Sequence, residues 1–184
     1  MKKILYIHGF ASTGNSNKYK KLCDEYGISN VISPTLPNSP KEAVEILENI
    51  IKENNYNILP IGTSLGGFYS WYICQKFELK GIQINPLTNI YFMEKFIGEN
   101  MNMNSGEKFD FNENYIKELK ELKDSIKDIS YNILNLFISE EDELFGKSQN
   151  TLYEYRFANT ITKVNDNHRF ENFDITFDLI DSLL

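Results

Sequence analysis

The chain has 184 residues, 41% hydrophobic and 14% aromatic, which fits one folded domain and excludes a disordered or fibrous chain. Its 26 acidic against 19 basic residues give a formal net charge of -7, which argues against nucleic acid or an anionic membrane surface as a partner. Two cysteines, Cys23 and Cys74, with no CxxC pair, offer neither a disulfide framework nor a metal cluster and point to a reducing cytoplasm.

KILYIH (3–8) reads as a buried strand. Two lysines before it imitate a secretion signal, but His8 cuts the apolar run well short of the ~7–15 residues that a signal core needs. Nothing in the sequence approaches the ~18 apolar residues of a membrane span. His8-Gly9-Phe10 then ends this strand. A helix is expected at about 17–26, and a strand at NVISPT (30–35), weakened by Pro34. Ser39-Pro40-Lys41-Glu42 opens the clearest helix, with Ser39 as N-cap, Pro40 in the first turn and Glu42 placed to close a capping box. Ala43, Leu47, Ile50 and Ile51 share one face of it.

NILPIG (57–62) reads as a strand and 65–77 as a helix, with Gly62-Thr63-Ser64-Leu65-Gly66 between them. Such a G-x-S-x-G match arises by chance in about one chain of this length in twenty, so its context decides. A strand that turns sharply into a helix at the serine is the setting of a nucleophile elbow, in which the hydroxyl stands above the sheet. Gly62 and Gly66 leave room for the crossing, and the helix N-terminus favours negative charge beside the serine. The alternative is a glycine-rich turn with an incidental serine. No lysine follows the glycines as a phosphate-binding loop requires, and GxGxxG is absent.

KGIQIN (80–85) is the next strand. About 45 residues then separate it from YNILNLFI (131–138), where a crossover needs about a dozen. Residues 88–130 are therefore expected to form a small helical cap, with a helix over 115–128 showing an apolar stripe of Ile116, Leu119, Leu122 and Ile126. Phe92, Met93, Phe96, Ile97, Met101 and Met103 in this insertion are either core or the lining of an acyl pocket.

YNILNLFI runs into SEEDELF, a helix is expected over 146–156, and NTITKV (159–164) leads to NDNHRF and a last helix at 171–183. A serine hydroxyl needs a base, and the chain has only His8 and His168. His168 follows the last strand, where the base of an α/β hydrolase belongs. Among Glu140, Glu141, Asp142 and Glu143, Asp142 is favoured as the acid that orients it, with Glu141 in reserve. Backbone N–H groups of Leu65 and Phe10 are placed to bind an oxyanion, Gly9 giving the loop latitude and His8 shaping it by hydrogen bonding. The expected reaction needs no metal or organic cofactor.

With YIHGFAS (6–12), SPTLPNSP (33–40), GTSLGGFYS (62–70), INPL (84–87), IGEN (97–100), Asp142-Glu143-Leu144 and NHRF (167–170), the sequence resembles the small esterases of the YqiA/YcfP family. The resemblance spans nearly the whole chain. It implies a compact α/β-hydrolase core of about six mostly parallel strands without the first two strands of larger members, a Ser64–Asp142–His168 triad, and hydrolysis of carboxylic esters. Two positions depart from it: Glu141 stands where the family usually has glycine, and Arg169 follows the base. A small acyl ester is the expected substrate, with an acyl thioester, or a binding role on a hydrolase scaffold, as the alternatives.

Overall fold

A computed structural model describes residues 2–145 and 154–184. Thirteen regular elements alternate along it: β1 (Lys3–Ile7), α1 (Asn17–Tyr26), β2 (Val31–Ile32), α2 (Pro40–Glu53), β3 (Ile58–Thr63), α3 (Leu65–Phe77), β4 (Gly81–Ile84), β5 (Gly98–Met101), β6 (Lys108–Phe111), α4 (Glu113–Ser125), β7 (Leu134–Ser139), β8 (Thr160–Val164) and α5 (Phe177–Leu183). Six strands form one parallel sheet in the order β2-β1-β3-β4-β7-β8. Because all six run the same way, the loops after β1, β3, β4, β7 and β8 meet along one edge, where open α/β sheets bind ligands.

The inner strands are apolar nearly throughout because both faces of the sheet are covered. β3, β4 and β7 are buried at every position. Alternate residues feed two cores. Leu5 and Ile7 pack with Leu47 and Ile51 of α2 and Ile73 of α3 on one face. Ile4 and Tyr6 pack with Leu22 of α1, Phe173 and Ile180 of α5 on the other. β8, at the sheet edge, is only partly buried.

Local chemistry accounts for the helix boundaries. Ser39 Oγ accepts the Glu42 N–H at 3.3 Å, with Pro40 at the helix start. A cap of this kind contributes about 1 kcal/mol. The carboxylate that serves this helix end belongs to Glu118 of α4, which accepts from Ser39 Oγ at 2.8 Å and from Lys41 N–H at 3.1 Å. α4 thus caps α2 while Ile116, Leu119 and Leu122 bury its stripe.

Several expectations change. β2 has two residues, since Pro34 offers no N–H to a ladder. The last helix starts late, at Phe177, after a 3-10 turn over Phe173–Thr176. Most of the helix expected at 146–156 lies outside the described residues. The insertion is not purely helical: β5 and β6 pair as an antiparallel hairpin, with Gly98 and Gly106 at φ +110 and +74. Gly106 lies in the turn between the two strands and Gly98 opens β5, both at positive φ that glycine adopts without steric cost. No helix among the described residues is long and apolar enough to cross a membrane.

Candidate active site

Ser64 sits between β3 and α3 with φ 58 and ψ -119, a conformation that costs a non-glycine residue about 1–3 kcal/mol and is held by its surroundings. Its N–H donates to Ile84 O at 2.9 Å, and its carbonyl accepts from Leu87 N at 3.0 Å and Phe68 N at 3.1 Å. The flanking glycines are needed for clearance. A Cβ at Gly62 would overlap the Gly66 carbonyl, and one at Gly66 would overlap the Ile7 carbonyl of β1.

The loop after β8 brings His168 over this turn. Its Nε2 lies 3.0 Å from Ser64 Oγ and its Nδ1 lies 2.8 Å from Asp142 Oδ2. A carboxylate only accepts, so Nδ1 carries the ring proton and Nε2 is left to accept from the hydroxyl. Both side chains are largely buried, His168 at 7% and Asp142 at 6% exposure. Asp142 stands three residues past β7, and its Oδ1 accepts the Leu144 and Phe145 N–H groups at 2.9 Å each. Burial pushes its carboxyl up, but the hydrogen bonds from His168, Phe145 and Leu144 outweigh that and hold it below the usual carboxylate value. Glu141 in the same loop is exposed, keeps negative φ and donates its N–H to Asp166 O at 3.2 Å, so no glycine is needed there.

On the other side of Ser64 stands the loop after β1. A Cβ on Gly9 would come within 3.2 Å of Thr63 O and 3.4 Å of Ser64 Cβ, so this backbone presses directly on the elbow. His8 is buried beneath it. Its Nε2 accepts Leu36 N–H at 3.0 Å, which leaves Nδ1 to donate to Gly9 O at 2.8 Å. Burial lowers its basicity, partly offset by the Gly9 carbonyl, and the neutral ring is the form that satisfies both partners. The N–H groups of Phe10 and Leu65 have no acceptor among the described residues, and both residues border one cavity of about 60 Å³ closed by Leu36, Tyr69 and Phe109. A larger open groove, about 520 Å³, lies between α4 and residues 88–91, and Ser64, Asp142 and His168 line neither it nor the smaller cavity. No cluster of three or more potential metal-binding side chains occurs among the described residues.

The match to family UPF0227, described as an uncharacterised protein family, runs over residues 3–184. The chain belongs to this family. Similar solved structures carry the same fold. A monoacylglycerol lipase from Paleococcus ferrophilus superposes with a TM-score of 0.73 at 13% identity, covering 98% of this chain and 93% of that one. The esterase domain of a Rhodothermus marinus protein gives 0.72 at 16%, with 98% and 85% covered. Est1E from Butyrivibrio proteoclasticus gives 0.70 at 13%, with 98% and 86% covered. At such low identity these likenesses establish the α/β-hydrolase fold of this UPF0227 chain, which it shares with esterases and lipases.

Two parts of the site were not visible in the sequence. The Phe145 ring stands edge-on to His168, with centroids 4.6 Å apart. The β5–β6 hairpin supports the loop after β1: Phe10 packs on Phe96, Phe109 and Phe111, Met103 N–H donates to Ala11 O at 2.8 Å, and Asn102 Nδ2 donates to Ser12 O at 3.0 Å. The alternation of KFDF was the available signal. Met101 and Met103, considered as pocket lining, are 56% and 67% exposed. Met101 ends β5 on the solvent-facing side of its pleat, and Met103 lies in the exposed turn that follows.

Proposed function

We propose that this protein is a serine hydrolase of small carboxylic esters, with Ser64 as nucleophile, His168 as base and Asp142 as the group that orients it. The observation that carries this reading is the unbroken line Ser64 Oγ, His168 Nε2, His168 Nδ1, Asp142 Oδ2, with steps of 3.0 and 2.8 Å across the bonds between side chains. His168 takes the Ser64 proton as Oγ attacks the ester carbonyl. The tetrahedral oxyanion accepts from the Phe10 and Leu65 N–H groups, each such donor supplying about 3–4 kcal/mol of transition-state stabilisation. The imidazolium then protonates the leaving alcohol, and water attacks the acyl-enzyme by the same route. Asp142 holds the tautomer and offsets the imidazolium charge without taking the proton.

Residues 88–130 act in this reading as a fixed support for the oxyanion loop within one catalytic domain. The unpaired thiols of Cys23 and Cys74 fit a reducing cytoplasm.

The test is a fluorophosphonate probe followed by peptide mapping, together with p-nitrophenyl acetate and the matching thioester as substrates. Labelling of Ser64 is expected, with ester turnover that falls at least about 1,000-fold in Ser64→Ala. Folded protein that takes no label would rule the reading out, and full-rate labelling of His168→Ala would remove His168 as the base.

A further inference from the structure

Hydrogen bonds reach the peptide of His168 from two side chains that the chemistry above does not use. Asn85, one residue past β4, is 2% exposed and has φ +41, in the left-handed region that non-glycine residues rarely adopt. Its Nδ2 donates to His168 O at 3.1 Å, Asn167 O at 3.4 Å and Ser139 Oγ at 2.8 Å, while its Oδ1 accepts Ser139 N–H at 2.7 Å. From the other side, Glu143 Oε2 accepts the His168 N–H at 3.0 Å. The N–H and the C=O of one residue are thus held by side chains from two different loops.

We propose that Asn85 and Glu143 are positioning residues that clamp the His168 backbone and so set where its ring meets Ser64. The inference rests on the reading of His168 as the base. Its physical ground is the place of Asn85 in the chain. The same short segment grips the nucleophile, since Ile84 O accepts the Ser64 N–H and Leu87 N–H donates to Ser64 O. Residues 84–87 are therefore tied both to Ser64 and to His168, and they fix the distance between the two. The base needs such a tie because it hangs from β8, the partly buried edge strand. A displacement of about 1 Å between reacting groups can cost about 100-fold in rate.

The chain has only two histidines, so selective ¹⁵N-histidine labelling gives one reporter at His168 and an internal reference at His8. The His168 Nδ1–H proton, donated to Asp142, is expected to exchange slowly when the clamp is intact. Asn85→Asp is nearly isosteric and still accepts from Ser139, but its carboxylate cannot donate to His168 O. Glu143→Ala removes the other jaw at an exposed position, and Glu143→Gln restores an acceptor there. Asn85→Asp and Glu143→Ala are each expected to lower kcat on p-nitrophenyl butyrate about 10–100-fold with KM changed less than about twofold. Both are also expected to speed exchange of the His168 proton and leave that of His8 alone. Glu143→Gln is expected to recover most of the loss, while Glu140→Gln, an exposed acid in the same loop, serves as the unaffected control.

Unchanged His168 exchange in folded Asn85→Asp and Glu143→Ala overturns the clamp, as does a Glu143→Gln no better than Glu143→Ala. If Asn85→Asp does not fold, the two Glu143 variants decide. Wild-type protein without ester turnover whose His168 proton still responds to the variants supports the clamp and refutes the esterase reading. Full Ser64 labelling with an unresponsive His168 proton refutes the clamp and leaves the esterase reading standing.

Discussion

Asp142 holds three hydrogen bonds to its carboxylate, and only one of them, from His168 Nδ1, bears on the proposed reaction. Asp142→Asn preserves the shape but can present an N–H to the imidazole, favouring the tautomer with its proton on Nε2, where it faces Ser64. Esterase kcat is expected to fall by about three to four orders of magnitude with the fold retained. The same residue carries a stability effect with a definite sign. Its carboxyl is held below the ordinary value in the fold, so the stabilisation is full above the ordinary carboxylate range and is lost as pH falls through the folded value. Urea midpoints of wild type and Asp142→Asn are therefore expected to differ at neutral pH and to converge on acidification. A gap that widened toward low pH would contradict the assignment. At this scale much of the hydrogen-bonded line was legible: the chain has two histidines, one of them after the last strand, and the carboxylate that meets it lies among four consecutive acidic residues. The grip of Asn85 and Glu143 on a backbone N–H and C=O was not, because periodicity carries no record of which peptide a side chain reaches.

The β3–α3 crossing shows how an element fixes a side chain. Gly66 packs its Cα against the carbonyls of Ile7 and His8 at the end of β1, so the glycine serves the contact between two strands and a helix rather than local flexibility. A methyl group there meets backbone, which cannot swing aside. Gly66→Ala is expected to destabilise the protein by at least about 1–3 kcal/mol, the usual cost of overpacking, and to abolish Ser64 labelling in the fraction that remains folded. Equilibrium unfolding in urea measures the first and the fluorophosphonate probe the second. The strand and helix flanking this glycine were legible because their apolar runs are local signals. The β5–β6 hairpin was not, since its strands are four residues each and only one face is apolar. Met101 and Met103 suggested a pocket lining through their chemistry alone, but the pleat of β5 turns Met101 outward and Met103 lies in the exposed turn.

The groups proposed to react come from the ends of four strands, β1, β3, β7 and β8, whose burial is unequal. β3 and β7 are fully buried, whereas β8 pairs only with β7 and leaves its side chains partly in water. Segments with few buried contacts open at lower free energy than the core. The hydrogen-bonded line through His168 is therefore the part of the site that should separate first under denaturant. Trp71, the only tryptophan, reports the other extreme: it is 6% exposed on α3 and packs with Phe68. Urea is expected to end Ser64 labelling at a lower concentration than it shifts Trp71 fluorescence. An opening of β8 and its loop that costs about 1–2 kcal/mol less than global unfolding would part the two midpoints by about 0.5–1 M. The order follows from topology, since nothing covers the outer edge of β8 among the paired strands while β1, β3, β4 and β7 each have a neighbour on both sides. Coincident midpoints would mean that the last strand shares the cooperativity of the core, with the Asn85 and Glu143 contacts strong enough to carry it there.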